Sequence, residues 1–237
     1  MPAEFNRAEL IEKLKKIKDM GFVETHRAHD TGIGKTLEDL LGIKENNIRL
    51  PDLGDLELKA KRVESASMLT LATKSPLPKG INRILFERYK YLDEEGHNNL
   101  HSTVCGSRIN PQGFKISISD EKLVLENRHQ IDSYWPMSVF NDVLKAKSSN
   151  VLLALAETTG ARKSDKERFY YKQAYLLSNL STSRFEKAIK EDWLKIDIRI
   201  GCYKSGSRKG QYHDHGTAFR INKDDYLHLY EDLEQIL

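Results

Sequence analysis

The stretch Pro51-Asp52-Leu53-Gly54-Asp55-Leu56-Glu57-Leu58-Lys59 combines an acidic turn with a short alternating segment. Successive side chains of a β-strand point to opposite faces, so Asp55, Glu57 and Lys59 are predicted to share one face. The leucines between them take the other face, and Asp52 would have to reach in from the turn. The stretch therefore predicts carboxylates and an ammonium group that converge at one end of a strand.

This set of side chains is typical of metal-dependent nucleases with a D…E-x-K pattern. Hard cations such as Mg²⁺ prefer oxygen ligands, and a pair of carboxylates can hold such an ion against a phosphodiester. A neighbouring lysine can orient the attacking water or stabilise the charge that develops on the phosphate. The alternative is a solvated polar face of a hairpin strand, because short patterns of this kind also arise by chance.

Composition restricts the class of protein. The chain has 237 residues, of which 39% are hydrophobic and 31% charged, as in a soluble globular protein. No apolar run approaches the roughly 20 residues needed to cross a bilayer. Cys105 and Cys202 are the only cysteines, which favours a reducing, cytoplasmic location. We expect a single domain over residues 1–237, with two lobes around a cleft.

Periodicity and capping signals predict a mixture of helices and strands. Helices are expected from Asn6 to about Met20 and at 35–41, 81–89, 137–147, 183–193 and after Asn222. Strands are expected at 55–63, 67–74, 114–119, 122–126, 151–156, 169–177, 194–203 and 217–221. Residues 91–112 are polar and rich in turn residues, so they are interpreted as a mobile insertion, and 204–216 as a polar loop. These elements predict an α/β or α+β fold with a mixed central sheet flanked by helices.

A glycine-containing segment, Thr31 to Thr36, resembles the end of a phosphate-binding P-loop. The full motif needs a glycine where this chain has His29, and the preceding segment is too polar for the required strand. We therefore expect no nucleotide cofactor. The segment instead opens a short helix in which Lys35 could touch a DNA phosphate and Glu38 could join the acidic site. The alternative interpretation of Glu38 is a solvent-facing helix residue.

The region from Arg199 to Lys223 is a local basic patch, with six Lys/Arg against the single acid Asp214. Such a patch is typical of a phosphate-binding surface, although a solubilising loop has the same composition. A β-ribbon with a long loop can enter the major groove of DNA, where Arg, His and Asp side chains distinguish G·C pairs. The predicted phosphate contacts are Lys204, Arg208 and Lys209.

The two histidines beside Asp214 allow two further interpretations. His213 and His215 could ligate zinc together with Cys202, although this spacing is a poor match to known zinc sites. One of the histidines could instead act as a catalytic base.

Five ordered segments resemble the MvaI/BcnI family of type II restriction endonucleases, whose core is similar to that of the repair enzyme MutH. The resemblance leans toward the MvaI side of the family and runs over most of the chain. The segments are TGIGKTLEDLL (31–41), PDLGDLELKAKR (51–62), LTLATKSP (69–76), IDIRIGCY (196–203) and HDHGTAFRIN (213–222). It implies a PD-(D/E)XK fold with a catalytic lobe at about 1–90 plus 114–180, and a DNA-recognition lobe at about 91–113 and 194–222.

The resemblance also implies site residues. The catalytic positions fall on Asp52, Glu57, Lys59 and Glu38, and the metal ligands on Asp52, Glu57 and the carbonyl of Leu58, with one or two Mg²⁺ that Mn²⁺ could replace. The family pattern favours Asp52 over its rival, Asp55. The DNA-reading positions fall on Asp197, Arg199, His213, Asp214, His215 and Arg220.

The implied function is Mg²⁺-dependent hydrolysis of double-stranded DNA at a short CC-N-GG site, with CC(A/T)GG favoured. The enzyme would act as a monomer that cuts one strand per binding event and leaves 5′-phosphate ends, with a cognate methyltransferase in the same system as a genetic partner. Two alternatives are open: a MutH-like repair nicking endonuclease that needs an activator, and a non-catalytic DNA-binding module on the same fold.

Overall fold

A computed structural model describes residues 6–43, 56–140 and 150–237. The chain forms two compact units, and each unit is assembled from segments distant in sequence. The first contains residues 1–67, 143–181 and 230–237, and the second contains 68–142 and 182–229. Among the described helices, none has both the length and the apolar character to cross a membrane.

The first unit is built on a mixed five-stranded sheet. Its strands follow the order β1–β10–β9–β2, and β14 pairs with β10. Strands β2 and β9 are parallel, whereas the other pairs are antiparallel. The strands are β1 (Val23–Glu24), β2 (Leu56–Arg62), β9 (Asn150–Thr159), β10 (Arg168–Leu180) and β14 (Tyr230–Gln235).

Two helices pack on one face of this sheet, α1 (Arg7–Asp19) and α2 (Gly32–Leu41). The side chain of Asn6 accepts hydrogen bonds from two amides of the first turn of α1, as its position in the sequence predicted. Gly42 ends α2 in the left-handed conformation, with φ 77°. Apolar side chains of both helices bury against Leu56, Leu58 and Ala60 of β2. The opposite face of β2 therefore carries Glu57, Lys59 and Lys61.

The second unit contains an antiparallel sheet with the strands β3 (Leu69–Thr73), β4 (Tyr91–Leu92), β5 (Asn98–Val104), β11 (Leu194–Cys202), β12 (Tyr212–Asp214) and β13 (Ala218–Ile221). Their order is β3–β13–β11–β5–β4, with β12 paired to β11. The unit also includes the helices α3 (Ile81–Tyr89), α4 (Thr182–Lys190) and the short α5 (Lys223–Tyr226).

A smaller three-stranded sheet belongs to the same unit: β6 (Phe114–Ser119), β7 (Lys122–Asn127) and β8 (Tyr134–Pro136). The hairpin predicted around Asp120-Glu121 is present, with both turn residues at positive φ. The core of the unit is aromatic: the ring of Phe219 lies 4.8 Å from Phe140 and 5.4 Å from Trp135, measured between centroids.

The α+β class with sheets flanked by helices is confirmed, but three local predictions are wrong. Residues 91–112 contain β5, which is central to the second sheet because its apolar residues alternate behind a polar face. The loop at 204–216 contains β12. The helix expected after Asn222 stops at Tyr226, and a 3₁₀ turn leads into β14 because the chain there gains strand partners on β10.

The boundaries of the two lobes also differ from those expected. Residues 68–90 and 114–142 were assigned with the N-terminal segment, but they belong to the second unit. The reason is strand pairing, since β3 bonds to β13 rather than to β2. Of the helix expected at 137–147, residues 137–140 are helical and the remainder lies outside the described residues.

Candidate active site and nucleic-acid interface

Glu57 and Lys59 form an ion pair on one face of β2, as the alternation predicted. The Nζ atom of Lys59 donates to Oε1 of Glu57 over 2.6 Å. The side chain of Glu57 is 8% exposed and that of Lys59 is 21% exposed. The second oxygen of Glu57, Oε2, is buried and has no hydrogen-bond partner within the described residues. A buried carboxylate oxygen without a donor is costly, so this atom fits a ligand supplied from outside the protein.

The other predicted catalytic and metal-binding residues are Asp52, Leu58 and Glu38. Asp52 and its rival Asp55 fall outside the described residues. Leu58 lies next to Glu57, with its side chain packed against the apolar core. Glu38 lines a cavity of about 270 Å³ together with Ala60 of β2.

A second charged pair lies at the far end of β2. Arg62 donates from Nε and Nη2 to the two carboxylate oxygens of Glu167, over 2.7 and 2.8 Å. The amide of Lys163 donates to Oε2 of Glu167 as well. Burial alone would raise the pKa of Glu167, but these hydrogen bonds and the charge of Arg62 hold it below the usual value. Both side chains are almost fully buried, so the pair is structural.

In the second unit, β5 and β11 present a row of polar side chains. Arg199 lies opposite His101 and Asp197 opposite Thr103 in the strand register. These four residues and Arg220 of β13 form a surface that we name the polar face. It borders a cavity of about 470 Å³, which His215 also lines.

Internal hydrogen bonds hold the charged groups of the polar face. Asp197 accepts from Thr103 Oγ1 and from Arg220 Nη1, each over 2.7 Å. Arg220 also donates to the carbonyl of Met68 over 2.9 Å. Arg199 donates to the carbonyl oxygens of His215 and Gly216. Hydrogen bonds within the protein therefore fix the orientation of these side chains.

Three aromatic rings lie in contact beside this face, and two of them are stacked. The imidazole of His213 is parallel to the ring of Tyr203, with centroids 4.1 Å apart, and His215 is 4.0 Å from His213. The guanidinium group of Arg208 lies over the ring of Tyr203, 4.1 Å from its centroid. Burial lowers the pKa of His215, and the neighbouring His213 and Arg199 lower it further. His215 is therefore neutral at pH 7 and offers one donor and one acceptor.

The remaining basic residues that were predicted to contact DNA are near the surface. Lys204 pairs with Glu95 over 2.9 Å, in a surface ion pair. Lys209 is exposed in the same loop. Lys35 belongs to the first unit, where it pairs with Asp39 one helical turn away over 2.7 Å.

The zinc interpretation of Cys202 is not supported by the geometry. Within the part of the chain that the structure describes, the only acidic, His or Cys cluster close enough to hold a metal is Asp93, Glu95 and His97. That cluster is already neutralised by Lys204 and by hydrogen bonds such as Asn99 to Asp93. Both cysteines of the chain are free thiols.

Several residues near the polar face were missed by the sequence analysis. His101 and Thr103 were overlooked because their segment was interpreted as an insertion, although the pattern Leu100-x-Ser102-x-Val104 alternates like a half-buried strand. Asn82 of α3, which donates to Asp214 over 2.7 Å, had no sequence signal at all.

Comparisons with known proteins agree with the fold. The family model of the MvaI/BcnI restriction endonuclease family matches residues 11–230. A solved structure titled restriction endonuclease MvaI–cognate DNA substrate complex is 35% identical, with a TM-score of 0.82, and the match covers 99% of this chain and 100% of that one. MvaI in the absence of DNA is 36% identical with a TM-score of 0.61, covering 99% of each chain. No curated protein matches the chain.

The fold and these matches define a restriction endonuclease, an enzyme that cleaves DNA at specific sequences. The chain belongs to the MvaI/BcnI restriction endonuclease family. The predicted class of enzyme, a type II site-specific deoxyribonuclease, is thereby confirmed. Restriction endonucleases generally use a divalent metal ion.

Proposed function

We propose that this enzyme hydrolyses double-stranded DNA with Mg²⁺ at a CC-N-GG sequence, with CC(A/T)GG as the favoured site. In this proposal it acts in the cytoplasm as a monomer that cuts one strand per binding event and leaves 5′-phosphate and 3′-hydroxyl ends. A methyltransferase of the same system would protect the host DNA. The recognition sequence, the monomeric state and the strand-by-strand cleavage rest on the resemblance to MvaI.

The observation that carries the catalytic part is the buried, unpartnered Oε2 atom of Glu57 beside Lys59. A carboxylate oxygen is the ligand that Mg²⁺ prefers, so this atom fits a divalent cation. The family pattern adds Asp52, the carbonyl of Leu58 and the helix acid Glu38 to the proposed set. When bound, the cation supplies positive charge beside the scissile phosphate.

The role of Lys59 follows from its position. Its ammonium group is held by Glu57 and keeps part of its surface open to solvent. It has further protons to donate, either to the attacking water or to the equatorial oxygens of the phosphate. Glu57 thereby orients Lys59 with one oxygen and leaves the other for the cation.

The DNA-reading part of the proposal is supported by the polar face and the rings beside it. Arg199, Arg220, His213 and His215 supply donors, and Asp197 supplies acceptors, which is the combination that distinguishes G·C pairs in the major groove. Arg208, Lys204, Lys209 and Lys35 are proposed to contact phosphates, which set the register without reading sequence.

Digestion of a sequenced plasmid in Mg²⁺, followed by mapping of the ends, tests activity, site and cut position together. We expect discrete fragments whose ends lie in CC(A/T)GG, with nicked circles as an intermediate. DNA binding without cleavage would contradict the catalytic proposal, and nicking that requires an added activator would favour a repair endonuclease.

The choice between the two acids before β2 is tested by Asp52→Ala and Asp55→Ala. The proposal expects that Asp52→Ala abolishes cleavage and that Asp55→Ala remains active. A fully active Asp52→Ala enzyme would remove Asp52 from the metal site.

A further inference from the structure

The carboxylate of Asp214 is already engaged inside the protein. Its Oδ2 atom accepts from Nδ2 of Asn82 over 2.7 Å, and its Oδ1 atom accepts from the amide of Gly216 over 2.7 Å. Asn82 is 5% exposed and lies in the first turn of α3. Its Nδ2 atom is also 3.4 Å from the hydroxyl of Thr217. Both oxygens that a base-reading aspartate would offer to DNA therefore have donors.

The orientation of the Asn82 amide is set by chemistry. An ionised carboxylate can only accept hydrogen bonds, so the amide must turn its NH₂ group toward Asp214. This leaves the Oδ1 atom of Asn82 buried and without a hydrogen-bond partner within the described residues. An unpartnered buried acceptor costs free energy. The fold therefore keeps the hydrogen bond from Asn82 to Asp214 although the Oδ1 atom of Asn82 is left without a donor.

The bond determines which way the histidines point. Tyr212 and Asp214 lie on the same side of β12, because they are two residues apart. Tyr212 packs against Phe86 of α3, with ring centroids 5.4 Å apart, so this side faces α3. His213 therefore points away from α3, and His215 lies beside it.

Gly216 and Arg199 also restrain the turn after Asp214. Gly216 has φ +81°, and a side chain there would collide with Thr73, so the turn allows only glycine. Arg199 donates to the carbonyls of His215 and Gly216. Asp214 also stabilises this turn, because its side chain accepts from the amide two residues later, which is a common arrangement for aspartate in turns.

We propose that Asn82 and Asp214 are a positioning pair that aims His213 and His215 at DNA, and that Asp214 acts through the histidines and not by contacting a base. This inference rests on the proposed DNA-reading function of the histidines. It assigns a specificity role to a buried residue of α3.

The substitution Asp214→Asn distinguishes positioning from base contact. If Asp214 is a support, the Asn82 amide can turn over so that its Oδ1 atom accepts from the new NH₂ group. The remaining oxygen at position 214 still accepts from Gly216, so both bonds survive. If Asp214 accepts from a cytosine amino group instead, the substitution places the NH₂ group of the new asparagine against the amino group of the base. Both groups are donors, so the ratio of cleavage at cognate and altered sites should fall about tenfold or more.

Removal of the partner gives the opposite prediction. Asn82→Ala deletes the donor and should lower the ratio of cleavage at the cognate site to cleavage at sites with one changed base pair, by about tenfold. Asn222→Ala is the matched control. Asn222 lies in the same unit and donates to a carboxylate oxygen of Asp225 over 3.1 Å, outside β12 and the turn that follows it. The pair Asn82→Leu and Asn222→Leu, of similar volume and without an amide group, replaces the alanine pair if the latter does not fold.

Two measurements complete the experiment: cleavage ratios of the wild-type chain and the variants, and the ring resonances of His213 and His215 in the DNA-free protein by NMR. We expect Asn82→Ala to lower the ratio and shift these resonances, while Asp214→Asn and Asn222→Ala keep both near wild type. Any other combination overturns the inference. If the wild-type chain fails to cut at discrete sites, the proposed function fails, and the resonances still test the positioning of the histidines.

Discussion

Two carboxylates at opposite ends of β2 are in opposite situations: Glu57 belongs to the strand itself, whereas Glu167 pairs with Arg62, the last residue of the strand. Near the start, Glu57 uses one oxygen to hold Lys59 and leaves the other buried without a partner. At the far end, Glu167 receives two bonds from Arg62 and one from a backbone amide. The first carboxylate is open to a ligand, whereas the second is saturated by the protein.

The comparison distinguishes a carboxylate that is available to bind a ligand from a carboxylate that stabilises the fold. A site that must take up a cation and a phosphate has to keep coordination capacity, which a folded protein normally avoids in its interior. A buried ion pair with every oxygen satisfied has no such capacity, and removal of one partner leaves an unpaired charge. Substitutions at the two ends should therefore have opposite consequences for activity and stability.

The largest effect is expected for Glu57→Gln, which keeps the volume and removes the charge. Cleavage should fall by about a thousandfold, because the cation loses a ligand and Lys59 loses its anchor. Initial rates on a plasmid measure the loss, and thermal unfolding should change little. Glu64→Gln is the control, since Glu64 is an exposed acid just after the same strand. An active Glu57→Gln enzyme would contradict the proposed site.

Glu167→Gln should show the reverse, with a loss of about 3 kcal/mol in the free energy of unfolding at pH 7. Denaturant unfolding measures this loss, and the fraction that remains folded should cleave DNA at the wild-type rate. Because the pKa of Glu167 is lowered in the folded state, its contribution is present above its ordinary value of 4.5 and disappears as the pH falls through the lowered pKa. The difference between variant and wild type should therefore shrink in acid, and a constant difference would argue against the charge as its cause.

Asp197→Asn tests the carboxylate that is proposed to read a base in the second unit. The change weakens the bond from Arg220 and should reduce discrimination between cognate and altered sites about tenfold, with little change in stability. Competition cleavage assays measure this ratio. Asp225→Asn is a control, because Asp225 also accepts a side-chain hydrogen bond, here from Asn222, and is not one of the residues that form the polar face. Equal ratios for both variants would exclude Asp197 from recognition.

The smallest effect is expected for Lys204→Ala, which removes a surface ion pair. Stability should change little, because both partners of the ion pair are exposed. DNA affinity should weaken for all sequences alike, and the slope of log affinity against log salt should fall by about 1. Lys172→Ala is a matched control, since Lys172 pairs with Glu157 over the same 2.9 Å in the first unit. A salt slope that is unchanged in Lys204→Ala would exclude a phosphate contact.

Local pattern was sufficient for much of the fold and for part of the site. The placement of Glu57 and Lys59 on one face needed only the two-residue period of a strand. Asn6 and Gly42 marked the ends of helices through side-chain and backbone chemistry that acts over three or four residues. The hairpin at Asp120 followed from the same local rules.

Two strands, β5 and β14, could not be predicted from the local sequence pattern. The segment at 91–112 is polar because only one side of β5 is buried. Its partner strand, β11, lies almost a hundred residues further along the chain. The C-terminal residues became β14 because β10 offered an edge, against the helical signal of Asn222. Long-range pairing overrides short-range preference in such cases, because the free energy comes from partners that the local sequence does not contain.

The sequence by itself determined the chemical groups and their order: a carboxylate and a lysine on one strand face, and a basic, histidine-containing ribbon near the C-terminus. Only the tertiary structure decided which of these groups are saturated and which are open. Asp214 meets Asn82 across 132 positions of sequence, and the second oxygen of Glu57 meets no donor in the described residues. The reason is that hydrogen-bond saturation depends on burial and on partners brought together by folding, and neither is encoded in a residue's immediate neighbours.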